Sequence, residues 1–427
     1  MKKSGNVTFY AIAKLCLAGF GLMMLIITAA STFAFGLFTV ITEGVESIGA
    51  FSMMALSWNA GLMFLLLIPM LVNVILVLLG KEPLAWPARL HMRASGVALL
   101  LWPLLFWVGT FLAERVDLAW ALLPPLQTLL VFIPLWWLIE TGLRLLKMKH
   151  THTEWSVIGV SMLVTPSLMV FIEVLAFGLA LVGFLVWAAT RPEIMAELQQ
   201  FGLRIANAPM DDPEVLDRIL MPYLQKPGVI TGALFMVSGV IPFIEEIFKP
   251  LALWFLIPRR LTPREGFAMG MVSGAVFALI ESLGNLINPL ADMWSTVMIG
   301  RLGTGLLHTL TSALVGWGIA SAWTHRRVLR LFLAYLGAVA LHAVWNSFAL
   351  VMGFSPLVVP SAGSGLSEVY TQGAKFAPYV LAVLSALMLF LLISRSYKLG
   401  QEAVGEFSAA STEGDMEEEN ERINLDI

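Results

Sequence analysis

The sequence predicts an all-α polytopic integral membrane protein, a bundle of about ten transmembrane helices with both termini in the cytoplasm. Of the 427 residues, 58% are hydrophobic and only 13% are charged, and the mean hydropathy is +0.83. A soluble domain carries about 25% charged residues. Long apolar runs and the regular placement of Lys and Arg between them are the two further observations behind this prediction.

Ten apolar runs are long enough to cross the hydrocarbon core, which takes about 20 apolar residues. The first run follows Lys2 and Lys3 and so resembles a signal peptide. It is longer than the apolar region of a cleaved signal, which has about 7–15 residues, so we predict a retained span. The predicted spans are 10–41, 56–79, 94–113, 118–137, 156–189, 229–257, 266–289, 297–323, 329–351 and 376–393.

Lys and Arg cluster in every second connection, and this pattern predicts which connections lie in the cytoplasm. The segments before the first span and after the tenth both belong to the basic set. One missed span would disrupt the alternation, so its regularity supports the span count. We expect the protein in the cell (plasma) membrane. The basic residues are Lys2, Lys3, Lys14, Lys81, Arg89, Arg93, Arg144, Lys147, Lys149, Arg259, Arg260, Arg264, Arg326, Arg327, Arg330, Arg395 and Lys398.

Two segments outside the spans have distinct compositions. Residues 191–228 form the one long charged external segment, and "PEVLDRILMPYL" within it has Leu and Ile at helical spacing, which predicts a short amphipathic helix. The end of the chain is acidic and poor in aromatics, which predicts a disordered cytoplasmic tail. The expected regions are 1–190 (five membrane helices), 191–228, 229–353 (a four-helix catalytic core), 354–398 (an external loop and the last span) and 399–427 (the tail).

Ionisable side chains inside spans are rare and indicate function. Here they fall mainly in four consecutive predicted spans, the sixth to the ninth. The acids and histidines lie within about one helical turn, or ~5.4 Å, of their spans' midpoints, so we expect them at similar depth. The residues concerned are Glu245, Glu246 and Lys249 in the sixth span, Glu281 in the seventh, His308 in the eighth, and His342 with Asn346 in the ninth.

Two prolines predict that the sixth span is kinked around its acids. Pro250 has no N–H, so the carbonyl of Glu246 loses its helical partner, and Pro242 does the same to Ser238. Small residues in "GFAMGMVSGAVFA" and "GAVALHA" indicate that the following helices pack closely.

The ordered motifs "EEIFK", "FALIE", "RLGTGLLH" and "HAVWN" resemble the PrsW family of intramembrane proteases, and more distantly the CAAX-processing and bacteriocin-processing membrane proteases. The resemblance covers about residues 229–351. PrsW proteins usually carry Asp where this chain has Asn346, which follows the CAAX-type pattern. The resemblance implies an endopeptidase that acts on a membrane-embedded protein substrate in the lipid bilayer, with no nucleic-acid partner.

Hydrolysis of a peptide bond needs an activated water and stabilisation of the oxyanion. Glu245 or Glu246 is the predicted general base, with Lys249 balancing the charge of the pair. The resemblance implies that the carboxylate in "FALIE" and the histidine in "RLGTGLLH" help to hold the water. It also implies that His342 and Asn346 face the oxyanion.

The same residues are compatible with a metal. Zinc in catalytic sites takes three protein ligands plus water, and one Glu with two His is an accepted set. Glu281, His308 and His342 form the expected ligand set, and the PrsW family is classed as a metalloprotease. No His-x-x-x-His pair occurs, so the zinc-dependent and metal-free versions both stay open.

Two other functions fit membrane-embedded carboxylates and histidines. A proton-coupled transporter or channel uses such groups, but here they are concentrated in one half of the chain, and no inverted repeat is visible. An inactive scaffold is the other alternative. Glu173, in "LMVFIEVLAFG", lies outside the motifs and is expected not to belong to the site.

Overall fold

The computed structural model describes residues 2–84, 88–148, 151–209, 213–256, 261–287, 293–358 and 365–425. Throughout these ranges the regular structure is helical, as predicted, and no strand occurs in them. The helices are α1 (Lys2–Glu43), α2 (Ile48–Leu78), α3 (Ala88–Ala113), α4 (Val116–Leu145), α5 (His152–Leu163), α6 (Thr165–Ala189), α7 (Pro192–Ala206), α8 (Pro213–Leu224), α9 (Pro227–Phe235), a π-helical turn (Met236–Val240), α10 (Ile241–Phe248), α11 (Leu251–Trp254), α12 (Pro263–Asn285), α13 (Trp294–His325), α14 (Val328–Val358) and α15 (Gly365–Leu425).

Nine helical stretches within the described residues are long and apolar enough to cross a membrane. The polytopic all-α class is therefore confirmed. The predicted span 297–323 lies within α13, which has 32 residues but does not reach the same apolarity. His308 and several Gly, Ser and Thr residues lower its hydropathy, and most of these are buried against protein. The cytoplasmic placement of the termini stays a prediction.

The chain divides into two compact units built from discontinuous segments. Unit 1 comprises Met1–Thr165, Lys249–Leu336 and Ser385–Ile427, and unit 2 comprises Pro166–Phe248 and Gly337–Leu384. One division between the units falls between Phe248 and Lys249, inside the "EEIFK" motif. The regional boundaries expected from the sequence stay a prediction.

In unit 1, α12 and α13 approach each other through small residues. A Cβ on Gly274 would lie 2.1 Å from the carbonyl oxygen of His308, and one on Gly270 would lie 2.2 Å from that of Ser312. No side chain fits at such distances, so only glycine permits this backbone contact. The close packing expected from "GFAMGMVSGAVFA" is confirmed, and it places α12 directly against the turn of α13 that carries His308.

The early helices of unit 1 bind the end of α12 through polar side chains. The side-chain amide of Asn59, on α2, donates to the carbonyl of Leu283 at 3.2 Å. That of Gln127, on α4, donates to the carbonyl of Leu286 at 3.0 Å. These are terminal carbonyls of a helix, which lack helical partners. The first spans therefore support the helix that carries Glu281, a role that no motif in them indicates.

Unit 2 includes the charged segment 191–228, which was predicted to contain one short amphipathic helix. Both α7 and α8 lie there, and the "PEVLDRILMPYL" helix is confirmed as α8. The rings of Phe201 and Tyr223 are 4.4 Å apart, and Lys226 forms an ion pair with Glu197. Their position outside the membrane stays a prediction.

The acidic tail differs from its predicted disorder, because α15 is helical as far as Leu425. Low hydrophobicity prevents a segment from burying a core, but it does not prevent helix formation. The tail is rich in Glu and Ala, which are strong helix formers.

Candidate active site

The sixth predicted span is interrupted on both sides of the two glutamates. The π-helical turn Met236–Val240 ends two residues before Pro242, and the N–H of Ile241 bonds to the carbonyl of Met236. After Phe248 the helix stops and resumes at Leu251. The predicted kink is thus confirmed. Single π-helical turns are frequent at functional sites, and here the breaks leave the acids on a helix of only eight residues.

In unit 2, both glutamates lie beside one buried histidine. Nδ1 of His342 donates to Oε1 of Glu246 at 2.9 Å. A proton on Nδ1 leaves Nε2 as the acceptor of a neutral imidazole. Oε2 of Glu245 lies 3.7 Å from that Nε2, beyond hydrogen-bonding distance. Glu246 is fully buried and Glu245 is 8% exposed. One carboxylate therefore orients the ring, and the other faces its second nitrogen.

Asn346 lies one turn after His342 on α14 and contacts the π-helical turn. Its side-chain amide donates to the carbonyl of Val237 at 2.9 Å. Within unit 2 this bond ties the helix of His342 to the irregular backbone that precedes the glutamates. An asparagine has two amide N–H donors, and this contact uses one of them, so the predicted oxyanion role stays a prediction.

In unit 1, a chain of hydrogen bonds passes through His308. The Lys249 ammonium donates to Nδ1 at 2.6 Å, which fixes the ring proton on Nε2. Nε2 then donates to Oε2 of Glu281 at 2.7 Å. Nη1 of Arg301 donates to Oε1 of Glu281 at 3.1 Å. Lys249 and His308 are buried, whereas the side chain of Glu281 is 31% exposed.

Three side chains of unit 1 position Lys249. The hydroxyl of Ser273 donates to the Lys249 carbonyl at 2.5 Å, and the hydroxyl of Ser161 lies 2.7 Å from that of Ser273. The ammonium lies 5.1 Å from the ring centroid of Phe277, and that ring meets His308 edge to face at 5.2 Å. A cation over an aromatic face is stabilised by the ring.

The two units thus divide the predicted residues between them. Unit 2 brings together Glu245, Glu246, His342 and Asn346, and unit 1 brings together Lys249, Glu281 and His308.

Sequence reasoning missed two contributors, although the spacing contained a signal for both. Ser273 precedes Phe277 by four residues, as Phe277 precedes Glu281, so all three share one face of α12. Arg301 lies seven residues, about two turns, before His308 on α13.

The donor atoms suit a metal ion. Two ligands of one tetrahedral zinc are about 3.4 Å apart, given bonds of about 2.0–2.2 Å, and Nε2 of His342 and Oε2 of Glu245 are 3.7 Å apart. A carboxylate on the other ring nitrogen, as Glu246 provides, is usual behind a metal-bound histidine. In His308 both ring nitrogens already have hydrogen-bond partners, Glu281 at Nε2 and the Lys249 ammonium at Nδ1.

These features define an integral membrane protein with carboxylate–imidazole pairs inside its helices, groups that can perform acid–base chemistry. Residues 179–383 match the family model described as PrsW family intramembrane metalloprotease. This segment is slightly less than half of the chain and includes every predicted site residue. Residues 179–383 are therefore similar to this family, and the resemblance carried by the four motifs is confirmed. No similar curated protein and no similar solved structure was found.

Proposed function

We propose that the protein is an intramembrane endopeptidase that hydrolyses a peptide bond in a membrane-embedded protein substrate. The observation that carries the proposal is the pairing of two carboxylates with two buried histidines, Glu246 with His342 and Glu281 with His308, inside the segment that matches the protease family. A transporter is not favoured, because that match is to a hydrolase family.

Glu245 is our proposed general base. The sequence left the choice between the adjacent acids open, and the contacts in unit 2 favour Glu245 for the water. Glu246 accepts a hydrogen bond from His342 and is fully buried, so we assign it to orienting that ring. Glu245 lies beside the second nitrogen of the ring. A base must be within reach of the proton that it removes.

The groups of unit 1 are proposed to stabilise negative charge. Lys249 and His308 both carry N–H donors, and Arg301 balances the charge of Glu281. Donors that are already in position stabilise a developing oxyanion strongly in a site of low dielectric constant. Along the chain only three residues separate Lys249 from Glu245, so the "EEIFK" motif covalently joins the acidic and the cationic group.

We further propose that the activity depends on a metal ion, with Nε2 of His342 as one ligand and Glu246 orienting that imidazole. Either Glu245, which faces the same nitrogen, is a second ligand and is then not the base, or the ligands are the set expected from the sequence, Glu281, His308 and His342. A bound metal would supply Lewis acidity and favour ionisation of the attacking water. The family description supports metal dependence, and zinc is compatible with this donor set.

A reconstituted cleavage assay tests the proposed activity. Purified protein in proteoliposomes is given single-span membrane proteins, and the products are mapped by mass spectrometry. We expect cleavage within or beside the span by the wild type and by Glu173→Gln, but not by Glu245→Gln. Proton flux that depends on Glu245, without any cleavage, would instead establish a transporter.

Metal content per chain separates the ligand sets. If Glu245 is a ligand, Glu245→Gln loses the metal and Glu281→Gln retains it. The reverse result would support the set with Glu281. A wild-type protein that cleaves its substrate after complete metal removal would establish the metal-free version.

A further inference from the structure

Two arginines of unit 1 lie against one tryptophan ring. Cζ of Arg330, on α14, is 5.1 Å from the ring centroid of Trp317, on α13, and Cζ of Arg395, on α15, is 4.5 Å from the same centroid. The two guanidinium carbons cannot be further apart than the sum of these distances, which is within the ~10 Å over which charges interact at 0.1 M salt. All three side chains are half-buried. Together they form the arginine–tryptophan cluster.

The contact with the ring leaves the N–H groups of both arginines available to a ligand. A guanidinium that lies over a ring contacts it through its face, whereas its five N–H donors lie along its edge. Among the described residues, neither guanidinium forms a hydrogen bond or an ion pair. Arg330 is also in the first turn of α14, where the helix macrodipole disfavours a cation and favours an anion. An anion that bridges the two cations therefore relieves two unfavourable interactions.

The charged residues around the cluster are mainly basic. The connection between α13 and α14 contributes Arg326 and Arg327, both exposed. Glu265, at the start of α12, is engaged in the capping box of that helix. On α15, Glu402 lies about two turns beyond Arg395. The excess of positive charge at this end of unit 1 attracts an anionic partner.

Exposed apolar side chains adjoin both arginines. Leu333 lies three residues after Arg330 and Leu391 four residues before Arg395, so each shares a helix face with its arginine. They are 59% and 40% exposed. The helical stretches that carry them are long and apolar enough to cross a membrane, and both leucines lie on the side of the arginines towards the middle of the stretch. A phospholipid matches this combination of cations and adjacent apolar surface, whereas a soluble anion uses only the cations.

We propose that the arginine–tryptophan cluster binds the phosphate of an anionic phospholipid, whose acyl chains lie against Leu333 and Leu391. The planar fork of an arginine donates two parallel hydrogen bonds to a phosphate. The ring of Trp317 stabilises both cations in position before the lipid binds. The site is independent of the proposed proteolysis, since it shares none of the seven predicted catalytic residues.

Photolabelling of the purified full-length protein in nanodiscs tests this site. One probe is phosphatidylglycerol with a diazirine in its acyl chain, and the matched control probe is phosphatidylcholine with the same chain. We expect phosphatidylglycerol to label peptides that contain residues 329–333 or 390–393 about 25-fold more than phosphatidylcholine does, because each arginine contributes about fivefold to the attraction of anionic lipid.

Three variants and one control locate the bound head group. Arg330→Gln and Arg395→Gln should each lower the labelling ratio to about 5, and the double variant should lower it to about 1. The matched control is Arg191→Gln in unit 2, where a single arginine lies 4.5 Å from the ring of Trp187. It should leave the ratio unchanged. If the double variant does not fold, the two single variants decide the result.

A ratio near 1 in the wild type, or a high ratio that persists in the folded arginine variants, would overturn the proposal. A decrease of the same size in Arg191→Gln would also overturn it, because the attraction would then belong to the basic surface in general. Competition with inorganic phosphate at constant ionic strength distinguishes a lipid from a soluble anion. Labelling that resists a tenfold molar excess of phosphate over the probe supports the lipid, and displacement of the probe would contradict it.

Discussion

The two units of the molecule contain the same structural pair in different electrostatic settings. In each unit a carboxylate binds one ring nitrogen of a buried histidine, Glu246 to His342 in unit 2 and Glu281 to His308 in unit 1. The carboxylate fixes the orientation and the tautomer of its ring.

The groups at the second ring nitrogens distinguish the pairs. His342 faces the carboxylate of Glu245 at 3.7 Å, whereas His308 accepts from the ammonium of Lys249 at 2.6 Å. Unit 2 therefore offers proton acceptors, and unit 1 offers proton donors and positive charge. Hydrolysis of a peptide bond needs both kinds of group, and this difference is why we propose that the pair in unit 2 removes the proton and the pair in unit 1 stabilises the oxyanion.

Among the single substitutions, Glu245→Gln should lower the cleavage rate most. Glutamine keeps the size and hydrogen bonding of glutamate but cannot accept the proton of the water. We expect the cleavage rate to fall about 10²–10⁴-fold, while thermal unfolding shows a folded protein. Cleavage at the wild-type rate would mean that Glu245 is not the base.

Glu246→Gln and Glu281→Gln should have intermediate effects, because each weakens the orientation of one histidine. The expected loss is about 10–100-fold in activity or metal affinity. Measuring both variants on one substrate compares the pairs directly. If either variant lost as much activity as Glu245→Gln, the substituted carboxylate would act on the reacting water and would not merely orient a histidine.

Gly274→Ala tests whether the packing of α12 on α13 supports the pair in unit 1. The new Cβ would lie 2.1 Å from the backbone of His308, so the helices must separate, which typically costs about 1–3 kcal/mol in the free energy of unfolding. The control is Gly284→Ala on the same helix, where a Cβ meets nothing within 4 Å. Equal melting temperatures for the two variants would contradict the close contact.

Glu173→Gln should have the smallest effect, although Glu173 also lies on a helix of unit 2. It is outside all four motifs, and the described contacts of Glu245, Glu246 and His342 do not include it. We expect cleavage within about twofold of the wild type, as for substitutions away from a site. Loss of proteolysis by a folded variant would extend the site to α6.

The sequence predicted much of this arrangement because membrane burial makes ionisable residues conspicuous. The helical class, the kink near Glu245 and the residues of both pairs could be predicted from apolar runs, proline chemistry and motif order. The partners within each pair could not, because spacing along one helix does not determine which side chains of another helix it meets. The glycine contact places α12, whose Ser273 binds the carbonyl of Lys249, against the turn of α13 that carries His308.

The support that Asn59 and Gln127 give to α12 was not predictable for a similar reason. Both are single amides within apolar helices, and nothing in their neighbourhood indicates that they bind carbonyls more than 150 residues away along the chain. The helical tail was missed because composition predicts whether a segment can form a core, not its local backbone conformation.

The central claim is that Glu245 acts in catalysis and does not merely balance the charge of Lys249. The most direct test is the cleavage rate of the double variant Glu245→Gln with Lys249→Met, beside each single variant and the wild type. If the carboxylate removes the proton, the double variant stays inactive although both charges are gone. If the pair only balances charge, removing both relieves the buried imbalance, and cleavage at the wild-type rate would contradict the proposed role of Glu245.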